Sequence, residues 1–211
     1  MSIKESLGNI RKTIPSDVNL VAAVKYASRE QIKELIDAGL MDFGFNTYQQ
    51  LEEIRPILPH KARVHFIGHL QSNKIKKVLK ENLFLMQSVD SYELAEKINK
   101  GAMEIKKIQK ILLQVKTDKK KEYGIEPKQL EAIFLKIREN LKNIEIKGLM
   151  TIPPIDENSG KYFSLVKGLF NKMREKSNDS FEYLSMGMSD DYKIAIGEGA
   201  NMVRIGRILF E

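Results

Sequence analysis

Leu184-Ser-Met-Gly-Met-Ser-Asp-Asp191, with Met202-Val-Arg-Ile-Gly-Arg207 after it, carries the clearest architectural signal in the chain. Each piece reads as a short apolar strand that breaks into a turn containing glycine. The segment between them has room for one short helix. Turns of this kind expose backbone N–H groups, and a helix start adds partial positive charge, so together they can hold a dianionic phosphate. In a parallel (β/α)8 barrel the loops after the seventh and eighth strands are the usual place for that site. The stretch therefore predicts the last two units of such a barrel.

The same strand–helix pattern recurs toward the N-terminus. Asn19-Leu-Val-Ala-Ala-Val-Lys25 is near-continuously apolar, as expected of a strand buried on both faces. Ser28-Arg-Glu-Gln31 spells a capping box, Ile32, Leu35 and Ile36 make a helical stripe, and Gly39 is a natural stop. Further strands are expected at 41–44, 64–67, 83–89, 110–116, 144–151, 183–186 and 202–205. Thr47-Tyr-Gln-Gln50 is a second capping box, and its helix runs to Pro56. Ile75, Val78 and Leu79 mark the next helix; Ser91 opens another, with Leu94, Ile98, Ala102 and Ile105 on one face. Pro127 opens a helix carrying Leu130, Ile133, Phe134, Ile137 and Leu141, and Tyr162, Val166, Leu169, Phe170 and Met173 mark the one after. Eight strands alternating with helices argue for a single α/β TIM-type barrel over residues 1–211. Seven helices are expected to follow strands. A polar helix at 3–13 is expected to complete the outer ring. The polar, lysine-rich loop 117–123 is the expected mobile segment.

Composition narrows the function classes. With 42% apolar residues the chain can bury one substantial core. It has no cysteine, which excludes disulfides and thiolate metal sites and fits a reducing compartment. Its polar start is unlike a signal peptide and no apolar run is long enough to span a bilayer, so a cytoplasmic location without membrane contact is expected. The net charge of +7 comes from dispersed lysines, such as Lys74, Lys76, Lys77 and Lys80, and Lys119 to Lys121. These read as solvated faces, and no nucleic-acid partner is expected. No apolar stripe is left over once the helices are packed, so a monomer is expected.

In a barrel, chemistry gathers at the C-terminal ends of the strands. Those ends are Lys25, Asn46, Gly68-His69, Thr151, Ser189 and the run from Arg204 to Arg207. Lys25 is the one charge between Leu20 and Ala27. A place in the mouth would desolvate its ammonium and favour the neutral amine, the form that attacks an aldehyde. From position alone, a lysine snorkelling to the rim fits as well. Ser189, ahead of two aspartates, also suits a helix N-cap with no ligand involved. Met186 and Met188 read as packing residues. His65 and His69 sit on a strand and a turn with no third ligand at metal spacing, so no metal site is expected.

Six segments, in order, resemble the signature of the pyridoxal phosphate homeostasis proteins. They are Val21-Ala-Ala-Val-Lys25-Tyr, Phe43-Gly-Phe-Asn46, His65-Phe-Ile-Gly-His-Leu-Gln-Ser-Asn-Lys74, Gly148-Leu-Met-Thr-Ile-Pro-Pro154 and the two stretches that open this section. That family shares its barrel with the N-terminal domain of alanine racemase. The resemblance spans nearly the whole chain and is specific as a set. It implies pyridoxal 5′-phosphate as cofactor, held as a Schiff base on Lys25. It implies that the Ser189 hydroxyl and the backbone N–H groups of Gly206 and Arg207 hold the phosphate. Arg204 would face the pyridine nitrogen, with Asn46 and His69 near the ring or its 3′-oxygen side. Two departures stand out: Phe45 replaces the family's usual Glu, and Arg207 stands where a small hydroxyl residue is common.

An arginine at the pyridine nitrogen has donors only and cannot accept its proton, which leaves the ring a poor electron sink. Racemisation needs two acid–base groups on opposite faces. In alanine racemase-like enzymes the second comes from an additional β domain, and no counterpart of it is expected here. The expectation is thus a protein that binds pyridoxal phosphate and regulates its supply, with apo-enzymes as candidate recipients, without robust turnover. The alternatives are a single-domain amino-acid racemase and a Schiff-base aldolase acting on a phosphosugar.

Overall fold

The computed structural model describes residues 2–154, 156, 158–177 and 181–211. Eight parallel strands close into a barrel in chain order: β1 Asn19–Ala23, β2 Asp42–Phe45, β3 Arg63–Phe66, β4 Leu85–Val89, β5 Gln109–Val115, β6 Ile144–Thr151, β7 Tyr183–Ser185 and β8 Met202–Ile205. Each lies within two residues of its expected place. Closure comes from β1 against β8, in register from Asn19–Met202 through Ala22–Ile205. This seam brings the C-terminal end of the first strand beside that of the last, next to the two glycine turns.

Helices α2 Arg29–Asp37, α3 Tyr48–Ile54, α4 Ile75–Lys80, α5 Tyr92–Glu104, α6 Leu130–Asn140, α7 Ser159–Glu175 and α8 Tyr192–Gly197 follow strands one to seven. A one-turn helix, α9 Arg207–Phe210, follows the eighth strand, so strand eight is not left without one as expected. The helix α1 Ile3–Lys12 packs between α9 and α2 and fills the rest of the gap in the ring. Its start is fixed by a reciprocal capping box: Glu5 N–H donates to Ser2 Oγ at 3.2 Å, and Ser2 N–H to Glu5 Oε2 at 2.9 Å. Its end is tied across by the Arg11 guanidinium, which donates to the carbonyls of Ala38 and Gly39 at 3.2 and 3.1 Å.

Two local expectations change. The Ser28–Gln31 box forms in full. The Thr47–Gln50 box forms by half: Thr47 Oγ1 caps the Gln50 N–H at 3.3 Å, but the Gln50 amide donates instead to the Val24 carbonyl, pinning α3 to the end of β1. The apolar stripe of α5 ends at Ala102. Ile105 is the C-cap and is exposed, as are nearby Met103 and Ile108, so some apolar surface does remain outside the packed helices.

The barrel sorts its side chains by the two-residue period of a strand. One face of the strands packs outward under the helices, where Phe43, Phe45, Leu149 and Val203 join the helix stripes in one large apolar cluster. The other face fills the lumen with a small cluster, Val21, Leu85, Leu112, Met150 and Met202. His65, Gln87, Ser185 and Arg204 share the interior and are equally buried. No helix of the described residues is long and apolar enough to cross a membrane.

If α1 is part of the ring, emptying its contact should cost as much as a core truncation. Leu7→Ala, at a side chain only 1% exposed, is expected to lower stability by about 2–4 kcal/mol in denaturant unfolding. A loss below about 0.5 kcal/mol, the range of ordinary surface changes, would make the helix peripheral.

Candidate functional site

A cavity of about 620 Å³ opens at the C-terminal ends of the strands. Its wall includes Lys25, Asn46, Ser189, Arg204, Gly206 and Arg207, with Ile67, Ile152, Met188 and Phe210 as apolar lining. Six of the seven residues singled out for the cofactor therefore share one wall. The seventh, His69, lines a neighbouring cleft of about 510 Å³ that also touches Lys25 and Asn46. Its ring stacks on Tyr123, with centroids 3.9 Å apart, and its Nδ1 lies 3.6 Å from Asp90. That stack, the Thr117–Thr151 hydroxyl contact at 2.7 Å and a 3.4 Å bond from Lys121 Nζ to the Ile152 carbonyl pin the lysine-rich loop at three points.

Lys25 sits one residue past the last ladder contact, since Val24 still donates to the Gly44 carbonyl at 3.1 Å. The turn that follows carries its side chain out to the rim. Lys25 is exposed, with its ammonium 4.7 Å from the Tyr26 ring centre. The desolvation expected of it is absent, because β1 stops at Ala23 rather than running on to Lys25.

The two glycine turns meet as anticipated in outline but not in detail. The Gly206 N–H points at Ser189 Oγ, 3.4 Å away. Ser189 does not cap α8. That place belongs to Asp191, whose Oδ1 instead accepts the Met188 N–H at 2.6 Å and closes the turn on itself. The Ser189 hydroxyl is thus turned toward the other loop. Gly187 has φ +93°, and a Cβ there would sit 2.6 Å from the Ala195 methyl and 2.8 Å from Tyr192 Cα. Only glycine fits this bend without strain. Burial pushes the Asp191 carboxyl up, opposed by the Met188 N–H and by Arg204.

Arg204 is the buried cation of the site, 3% exposed. Its Nη1 donates to Ser185 Oγ at 2.6 Å and its Nη2 to the Thr151 carbonyl at 2.8 Å. Both partners are neutral. Burial pushes its guanidinium down to about 10, with the Asp191 charge working against that shift. Arg207 is different. Its exposed guanidinium pairs with Asp190 and lies 3.8 Å from Glu211, so the acids of the rim, rather than solvent, hold it. Phe45 faces the helices in the outer cluster and lines no part of the cavity.

Sequence reasoning missed residues that hold the site from behind, Gln50 under Lys25, Asp191 under the Ser189 turn and Ser185 on Arg204, and it placed Thr151 at a strand end without its carbonyl's bond to Arg204. A signal existed for Ser185, which is a polar residue inside an apolar strand. Among the described residues no group of three or more His, Cys, Asp or Glu is placed to hold a metal. His65 points into the lumen and His69 to the rim, so the pair does not converge.

The family model for the alanine racemase N-terminal domain matches residues 2–211. The chain is 38% identical over 206 residues to a pyridoxal phosphate homeostasis protein of Synechocystis, covering 94% of this chain and 93% of that one. It is 36% identical to the protein of that name from Aquifex aeolicus, covering 90% and 85%, and 34% identical to the human one, covering 90% and 75%. Among solved structures, PipY of Synechococcus elongatus with PLP bound superposes with a TM-score of 0.89 at 32% identity, covering 99% of this chain and 100% of that one. Alanine racemase of Clostridium difficile shares the fold, with a TM-score of 0.80 at 20% identity over 99% of this chain and 55% of that one.

Gly187→Ala tests whether the bend that aims Ser189 is required. With the Cβ clash and the positive φ together, a loss of about 1–3 kcal/mol in unfolding free energy is expected. An unchanged denaturation midpoint would mean that the turn relaxes freely.

Proposed function

The chain belongs to the alanine racemase N-terminal domain family and, within it, to the pyridoxal phosphate homeostasis proteins, and on that basis we propose that it binds pyridoxal 5′-phosphate and regulates its intracellular supply. The observation that carries the reading is one cavity with an amine on its wall, a hydroxyl-and-amide turn on another part of that wall, and a buried guanidinium lining it too. These match the needs of an aldehyde, a phosphate and a pyridine ring. When bound, the cofactor supplies an aldehyde that condenses with a primary amine, with loss of one water. Lys25 is that amine. Exposure at the rim keeps it reachable by an incoming ligand and by water, which suits uptake and release.

Ser189 Oγ and the N–H groups of Gly206 and Arg207 take the phosphate. Arg207 opens a helix turn, and the first N–H groups of a helix have no intrahelical acceptor. A Cβ at Gly206 would come 3.1 Å from the Ala23 carbonyl oxygen, so the backbone there runs close to the end of β1. Arg204 presents donors to the ring nitrogen and cannot take its proton. The ring is then a weak electron sink, which favours holding the cofactor over turning substrate over with it. Asp190 and Glu211, the carboxylates on the cavity wall, are engaged by Arg207 and are poorly placed to serve as free bases. Asn46 lies beside Lys25 on the ring side, and His69, from the adjoining cleft, serves the outer edge of the mouth. We take the working unit to be a cytoplasmic monomer that exchanges cofactor with apo-enzymes.

The second reading, a single-domain amino-acid racemase, draws on the shared fold and on the same amine. Protein loaded with pyridoxal phosphate is expected to show a Schiff-base absorbance that Lys25→Ala abolishes, while interconverting alanine enantiomers no faster than free cofactor does. Ser189→Ala is expected to weaken binding by about 10–100-fold, the loss of one hydrogen bond to a charged group. A band that survives Lys25→Ala would remove the assigned amine, and rapid racemisation would move the chain to the second reading.

A further inference from the structure

Behind the cavity, a line of hydrogen bonds crosses the lumen from Arg204, the buried cation of the site. Arg204 on β8 donates through Nη1 to Ser185 Oγ on β7 at 2.6 Å. Ser185 Oγ meets Gln87 Oε1 on β4 at 2.7 Å. Gln87 Nε2 meets His65 Nδ1 on β3 at 2.9 Å, and His65 Nε2 meets Asp42 Oδ1 on β2 at 3.0 Å. Arg63 closes the line, with Nε 2.7 Å from Asp42 Oδ1 and Nη2 2.7 Å from Oδ2. Ser185, Gln87 and His65 are fully buried, so each polar atom must find its partner inside the protein.

The two ends fix the direction of everything between them. A guanidinium can only donate, and an ionised carboxylate can only accept. The Ser185 hydroxyl proton must therefore point to Gln87 Oε1. The Gln87 amide must keep its nitrogen toward His65, and its second N–H reaches Met202 Sδ at 3.2 Å. His65 must then be neutral, with its proton on Nε2. Any reversal places two donors face to face among fully buried side chains.

We propose that Ser185 and Gln87 are positioning residues that hold the Arg204 guanidinium in the orientation it presents to the ring, with His65 and Asp42 setting the direction of that hold from the far end of the line. The proposal rests on the cofactor reading for what Arg204 contacts, but the line itself does not. Protonating His65 puts a donor on Nδ1 against the Gln87 amide. The amide must turn over, Ser185 must then accept from both sides, and Arg204 loses its fixed acceptor geometry. The site is thereby linked to a buried titratable group on β3, across the lumen from β7 and β8.

The charged groups facing His65 are Asp42 from β2 and Arg63 from its own strand. From the β4 side it meets Gln87 and the edge of the Phe84 ring, with centroids 5.2 Å apart. Burial holds the imidazole below its ordinary value, against the hydrogen bond and charge of Asp42, and Arg63 adds to the lowering. The unfolded chain takes up this proton near pH 6.5 while the folded chain resists it. The stabilisation is then complete above about pH 6.5 and is lost as the pH falls through the lower folded value.

The test is made first on protein without cofactor, by nitrogen NMR of the His65 ring and of the Arg204 guanidinium. The expected result at pH 7 is a neutral ring protonated on Nε2 and a guanidinium that rotates slowly. Gln87→Glu adds an acceptor where a donor stood and should convert His65 to the imidazolium. Gln87→Met keeps the volume but cuts the line; it should speed the rotation at least tenfold and raise the rate of pyridoxal phosphate release at least fivefold. Ser185→Ala, which removes only a hydroxyl, serves if the Met variant does not fold. A ring protonated on Nδ1, or rotation in the cut variants within twofold of the parent, overturns the proposal. Failure of the parent protein to take up pyridoxal phosphate would sink the cofactor reading alone, because the NMR signals report on the line with or without a ligand.

Discussion

A guanidinium shut inside a barrel is the constraint on which the rest of this structure turns. Placing an isolated charge in a low-dielectric interior costs several kcal/mol unless its donors are met. At Arg204 they are met by neutral oxygens, the Thr151 carbonyl and the Ser185 hydroxyl, and by the field of Asp191. A carboxylate bonded directly to it would neutralise it and occupy its donors. Neutral acceptors hold it in place and leave it cationic toward the cavity. The geometry that makes this possible is the β1–β8 closure, which sets the last strand beside the first and brings the Ser189 and Gly206 turns to the same rim as Lys25.

The barrel itself was largely legible in the sequence because a strand buried on both faces leaves a near-continuous apolar run, and a following capping box marks where the helix begins. Ser28 and Gln31 spell theirs fully. Thr47 and Gln50 have the same spacing, yet the Gln50 amide finds its acceptor at the Val24 carbonyl, a partner 26 residues away that no local pattern reveals. Ser189 misleads in the same way. Its spacing suits a cap, but Asp191 takes that place. Lys25 stands out as the lone charge in an apolar run, while its hydration depends on where the strand stops, to within two residues.

The supports of Arg204 are harder to see for a different reason. Ser185 and His65 each stand out as a polar residue among apolar neighbours in a short strand, and Gln87 forms a polar pair with Ser88 in another. What joins them is closure of the barrel, which brings residues from β7, β4 and β3 into contact across the lumen. Spacing along the chain carries no trace of that. The departures from the family pattern sort themselves by the same geometry. Phe45 alternates outward and enlarges the shell under the helices, whereas Arg207 lands on the rim and is taken up by Asp190.

The unequal division of apolar side chains has one more consequence. Nearly all of the hydrophobic contact among the described residues lies in the annulus between strands and helices, and the lumen cluster contributes only five buried apolar residues. Cohesion and chemistry are thus assigned to separate compartments of one wall, with each strand serving both on alternate residues. A lineage could rewrite the inner column, exchanging one polar set for another suited to a different guest, while the girdle that keeps the molecule shut stays as it is.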